Sequence, residues 1–308
     1  MAAHPDPVLD WLLAGDAAVE YATRRDLLDE ERPDLRARIA GEGDAAAILA
    51  ARRPDGHWGR GFYQPKWTST HYTLLELRGL GVDPTVPACR DAVALCLAER
   101  GADGGVNPSG TIAHSDVCVN GMFLAIAAYF GAPGDALAGL VDFVLGQQVA
   151  DGGFNCRSNR ARGVRVGSVH TTTSVIEGFT EYLRAGYAHR SDAVRAARAG
   201  AVECLLSRRL YQVRATGEPI HPEVVKLHHP ARWHFDVLRG LDVLRDAGVP
   251  RDERLGPALD VLRERRRPDG RWPANRGYAG ETHVAYPRSG QPNRWVTLAA
   301  LRVLCAYG

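Results

Sequence analysis

No stretch of this 308-residue chain stays apolar for the roughly 18 positions a membrane-spanning helix needs. The candidate at 121–130, GMFLAIAAYF, is too short, so no transmembrane segment is expected. Neither sign of charge prevails. Thirty-eight basic against 36 acidic side chains leave a formal net charge of +2, which is no footprint for nucleic acid. The start, MAAHPDPVLDWLLAGD, has no basic region ahead of an apolar core, so a signal peptide is not expected. There is no CxxC pair. The six cysteines (Cys89, Cys96, Cys118, Cys156, Cys204 and Cys305) are scattered, which fits reduced, mostly buried thiols and a cytoplasmic setting.

What is present is repetition. RRPDGHW at 52–58 returns 214 positions later as RRPDGRW at 266–272. Related turns lie between, at Asp103-Gly104-Gly105-Val106 and Asp151-Gly152-Gly153-Phe154. Asp55, Asp103 and Asp151 are spaced by 48 and 48 residues, and Asp269 follows 118 later, about two longer periods. The missing copy falls near Thr216-Gly217, where Asp-Gly is lost. A fixed period of this size means stacked supersecondary units sharing a continuous core. We expect one domain over 1–308, with a helical cap at 1–44 and about five repeats over 45–308.

Each unit reads alike. A first helix with apolar residues at three-to-four spacing (DAAAILAARR, DAVALCLAER, LAGLVDFVLGQQ, AVECLLSRRL, ALDVLRERRR) is stopped by the Asp-Gly turn. A polar loop follows. A second helix then opens at a polar cluster near Thr68, His114, His170, Trp233 or Trp295 and ends near Gly81, Gly131, Gly186, Gly248 or Gly308. The second helices carry fewer charges than the first, so they form the inner layer. Their openings would rim one end of a central space. The fold class is all-α, either an open solenoid or a closed α/α toroid, and the period alone does not decide between them. Residues 203–232 are the least repeat-like, and an atypical insertion in an array usually maps to one face. It is read as a loop over the mouth of the space.

The copies resemble the Gln-Trp-type repeats of the terpenoid cyclase and protein prenyltransferase superfamily, QQVADGGF most closely. The resemblance spans roughly 45–308 and implies an α/α toroid. The DxDD acid of class II cyclases is missing, which turns the comparison towards the single-toroid prenyltransferase β subunits. These hold zinc with a D-x-C unit and a later His. Carried over, the resemblance implies Asp116, Cys118 and His170 as ligands of Zn2+, within GGVNPSGTIAHSDVCVNGMF and SVHTTTSVIEGF. Zinc takes carboxylate, thiolate and imidazole, and an open fourth position would activate a thiol or a water. The plain alternative is structural: Asp116 as a helix cap, Cys118 as a buried small residue, His170 as a polar residue of a cap region.

The resemblance fails where basic residues should precede D-x-C to hold a diphosphate: NPSGTIAHS has none. Arg157, Arg160, Lys226 and Arg232 are the candidates for an anionic group instead. Trp67, Trp233 and Trp295 precede or open inner helices and would line the cavity, as an isoprenoid substrate requires, while Trp58 and Trp272 are read as packing residues. His71, His234 and Asp236 share the rim and are candidates for acid–base work. Three functions follow. The first is a zinc-dependent, prenyltransferase-like transferase acting on an isoprenoid or anionic small molecule, with room for a second subunit. The second is a metal-independent isoprenoid cyclase or lyase. The third is a non-catalytic helical-repeat binding protein.

Overall fold

A computed structural model describes residues 6–109, 112–157, 161 and 163–308. The chain is all-α. Three helices, α1 (Pro7–Leu13), α2 (Ala17–Leu27) and α3 (Pro33–Ile39), precede five helix pairs. The pairs are α4 (Gly43–Ala50) with α5 (Thr70–Gly79), α6 (Pro87–Ala98) with α7 (Val117–Tyr129), and α8 (Gly134–Leu145) with α9 (Val169–Arg184). Then come α10 (Ser191–Leu206) with α11 (Val237–Asp246) and α12 (Gly256–Glu264) with α13 (Arg294–Tyr307). Among the described residues there is no strand, only isolated bridges at the turns, and no helix is long and apolar enough to cross a membrane.

The second helix of each pair is the inner one. α7 touches α5 and α9, α9 touches α11, α11 touches α13, and α13 packs on α2. All of α7 except Cys118 and Tyr129 is buried, which explains why VCVNGMFLAIAAY carries no charge. The α7–α9 crossing is close enough that a Cβ on Gly178 would lie 2.4 Å from the Gly121 carbonyl. The N-terminal segment is more than a cap: Asp26 of α2 bonds Arg302 of α13 at 2.9 Å. Residues 278–286 cross back to the first pair, where Trp67 donates to the Ala279 carbonyl at 2.6 Å and Thr73 meets His283 at 2.8 Å.

The repeated sequence has a repeated physical cause. Each Asp-Gly turn buries backbone at the junction of outer and inner helix, and buried N–H and C=O groups need partners. The inner helix supplies them. Thr70 accepts the Trp58 N–H at 3.0 Å, Asn120 the Val106 N–H at 2.7 Å, Thr172 the Phe154 N–H at 3.0 Å and Thr297 the Trp272 N–H at 3.0 Å. The same side chains donate back to the carbonyls of those four residues. The turn aspartates Asp55, Asp103, Asp151 and Asp269 each accept the N–H two residues on, and the glycines after them adopt φ from 80° to 87°.

Trp58 and Trp272 are fully buried and donate to Ile48 and Leu262, each ten residues back, at 2.7 Å. They are packing residues, as expected. In the fourth pair the clamp is gone: the fourth residue of α11 is Gly240, and the Phe235 ring stands 2.7 Å from where its Cβ would be. A turn with no clamp has no need of Asp-Gly, and the chain there closes instead through Val213 and Glu218.

Thr297→Val removes the hydroxyl and keeps the shape. It leaves the Trp272 N–H and C=O without that partner and should cost about 1–3 kcal/mol of unfolding free energy, read by urea denaturation. An unchanged midpoint would contradict the clamp.

Candidate functional site

Several of the charges on the inner helices pair across from one helix to another. Four guanidiniums step around the interior. Arg78 of α5 bonds Glu181 of α9 at 2.7 Å. Arg239 of α11 bonds Glu177 of α9 at 2.5 Å and Ser174 at 3.2 Å. Arg302 of α13 bonds Asp242 of α11 through Nε at 2.7 Å. Arg232, from the loop before α11, bonds Glu76 of α5 at 3.3 Å. Apart from Glu181 and Ser174, these side chains line a half-open cavity of about 240 Å³, together with residues of α5, α11 and α13 and residues 228–232. Of the atypical segment 203–232, residues 228–232 line this cavity.

Glu76 is the unusual member. Its side chain is 8% exposed. It receives the Tyr286 hydroxyl and the Arg232 guanidinium, whose own second nitrogen reaches Tyr286 at 3.4 Å. Burial raises the carboxyl above its ordinary value, and the opposing pull of Arg232 does not cancel it. Arg78 also lines this cavity, and its Nε is buried with no partner.

A second cluster lies at the openings of the inner helices. His170, the second residue of α9, accepts the Phe235 N–H on Nδ1 at 2.8 Å and faces the rings of Trp233 and His234 at 5.3 and 6.4 Å. His234 is stacked between Trp233 and Tyr278, with centroids at 3.9 and 3.4 Å. The Nδ1 of His234 and the Nε1 of Trp233 are buried without partners. Burial lowers His170 to about 4 and His234 to about 3. Lys66 lies 5.0 Å over both Trp67 and Trp233.

The structure therefore gathers His170, Trp67, Trp233 and His234 at the rim, and puts Arg232, Trp295 and Asp236 on the cavity lining. Asp236 is a cap: it accepts the N–H groups of Arg239 at 2.9 Å and His228 at 3.0 Å. His71 is sealed among Phe62, Tyr63, Tyr72 and Phe123, with both ring nitrogens unpartnered. It does not line this cavity, and burial holds it near 3. Arg157 is exposed, and Lys226 pairs with Glu223 outside the cavity lining. Arg160 lies outside the described residues.

The implied zinc ligands do not assemble. Among the described residues, no three His, Cys, Asp or Glu side chains form a group that could hold a metal ion. Asp116 takes the N-cap position of α7. The neighbour of Cys118 is Cys156, whose Sγ accepts the Cys118 N–H at 3.2 Å. The donor set as it stands does not fit zinc, and no step below passes through a metal.

Sequence reading missed Glu76, Arg78, Glu177, Arg239, Asp242 and Arg302. The signal was there: ionisable residues in otherwise apolar helices at spacings that keep one face, such as Glu177 with Glu181 and Arg239 with Asp242. No family model and no curated protein matches the chain.

Histidines held neutral by burial make stability depend on pH with a definite sign. The folded value of His71 lies below the unfolded 6.5, so on acidification the unfolded chain takes the proton first. Stability is full above about pH 6.5 and is lost as pH falls below it. His71→Phe should flatten the slope of unfolding free energy by up to about 1.4 kcal/mol per pH unit below pH ~6. Denaturant titrations of wild type and variant at several pH values measure it, and identical slopes would contradict a neutral His71.

Proposed function

We propose that this chain is an enzyme that transfers a proton to or from a small anionic molecule held between its inner helices, and that these helices form an α/α toroid of the kind its repeats resemble. The observation that carries the reading is Glu76: a buried carboxyl on a cavity wall, pushed towards its protonated form, with Arg232 and Tyr286 bonded to it. A protonated carboxyl in that setting is a general acid. As its proton leaves, the guanidinium and the phenol hydroxyl stabilise the carboxylate that forms.

The arginines supply binding. Arg78, Arg239 and Arg302 each line the cavity, and each can share its donors with a substrate carboxylate or phosphate. Trp295 and Tyr72 add apolar surface. At about 240 Å³ the space falls below the roughly 300 Å³ at which ordinary ligand pockets begin. That favours a compact, charged molecule over a long prenyl chain, and so favours the metal-independent reading over prenyl transfer. We place the activity in the cytoplasm, where the six free cysteines stay reduced.

The test is a turnover screen over small carboxylates and phosphomonoesters, with and without a chelator. The expected result is activity that survives the chelator and falls about 10²-fold or more in Glu76→Gln, with ligand-induced stabilisation of the fold retained. Full activity in Glu76→Gln, or loss of activity on chelation alone, would overturn the proposal.

A further inference from the structure

Away from the charged cavity, two thiols from different repeats meet. Cys118 is the second residue of α7, and Cys156 follows the Asp-Gly-Gly-Phe turn that ends the next outer helix. The Cys156 Sγ accepts the Cys118 N–H at 3.2 Å and lies 3.4 Å from the Thr171 hydroxyl in the first turn of α9. Both are partly exposed, whereas Cys89, Cys96 and Cys204 are buried.

The two sulfurs are not equivalent. Cys156 sits at the N-terminus of a 13-residue helix, where free N–H groups and the positive end of the helix dipole favour a thiolate. The Cys118 N–H and the Thr171 hydroxyl both lie against the Cys156 sulfur, so Cys156 is the one prepared to attack, and the residue that holds the N–H carries the second thiol.

We propose that Cys156 and Cys118 are an attacking and resolving thiol pair that reacts with hydrogen peroxide and closes to a reversible disulfide across two repeats. The Cys156 thiolate attacks one peroxide oxygen, the O–O bond breaks, hydroxide leaves and takes up a proton, and Cys156 becomes a sulfenic acid. The Cys118 sulfur then attacks the Cys156 sulfur. The S–O bond breaks, and the hydroxyl leaves as water with the Cys118 proton. Two thiols lose two electrons and peroxide is reduced to two waters. A dithiol reductant reverses the closure. The bond would tie the start of α7 to the turn that leads into α9, the helix that presents His170.

The test uses the full chain, freed of any metal with a chelator. It is treated with hydrogen peroxide, alkylated with N-ethylmaleimide and mapped by peptide mass spectrometry. The expected product is a Cys118–Cys156 linked peptide that dithiothreitol releases. Cys118→Ser should stop the reaction at a dimedone-reactive sulfenic acid on Cys156, and Cys156→Ser should leave Cys118 alkylated as a free thiol. Separate alkylation of both cysteines in peroxide-treated wild type would overturn the proposal, and so would dimedone labelling that favours the exposed Cys305 over Cys156. The wild-type measurement stands even if a variant fails to fold.

Discussion

A guanidinium taken out of water must find a carboxylate, and four of them set the geometry of this molecule. Arg78, Arg232, Arg239 and Arg302 each pair with a carboxylate on a neighbouring element. The pairs of Arg78, Arg239 and Arg302 tie α5 to α9, α9 to α11, and α13 to both α11 and α2, and the pair of Arg232 ties the loop before α11 to α5. Arg232 and Glu76 are buried on both sides, and removing one partner of such a pair typically costs about 3–5 kcal/mol, while replacing both by apolar side chains is often neutral; the other three pairs are partly exposed. Stability alone therefore does not explain why charge is kept there. The belt leaves a cavity between its members, and within it one carboxyl is biased towards its acid form. Structure and proposed chemistry share the same side chains.

The repeat serves this arrangement from outside. A buried turn needs its backbone satisfied, and the inner-helix hydroxyl or amide of Thr70, Asn120, Thr172 and Thr297 does so in four of the five pairs. That bond sets the axial position of each inner helix against its outer partner. In the fourth pair Gly240 replaces the clamp and the Asp-Gly turn is lost. The segment leading into that helix is then free of the repeat, and its residues 228–232 line the cavity, with Arg232 delivered from it.

Much of the scaffold was legible in the sequence, because it depends on local periodicity. The five helix pairs, their inner and outer order, the packing of Trp58 and Trp272 and the departure at 203–232 all follow from apolar spacing and turn residues. The site was less legible for a physical reason. A lone charge in an apolar stretch, such as Arg302 in WVTLAALRVLCAY, reads as the one solvated position. Only the closure of neighbours around it shows that it points inward. His71 was misleading in the other direction. Its place near the rim suggested chemistry, while a sealed aromatic nest is what it forms. Cys156 was hidden as one small residue after a turn, since its meaning depends on Cys118, 38 residues away.

The claim on which all of this rests is that the inner-helix charges pair with one another in a secluded interior. A double-mutant cycle on Arg239 and Glu177, with Arg239→Met, Glu177→Gln and the double variant unfolded in denaturant, tests it most directly. Pairing in the interior predicts a coupling of about 1.5 kcal/mol or more, within the span measured for residues that share a network. A coupling below about 0.5 kcal/mol, the size of an exposed pair, would contradict it.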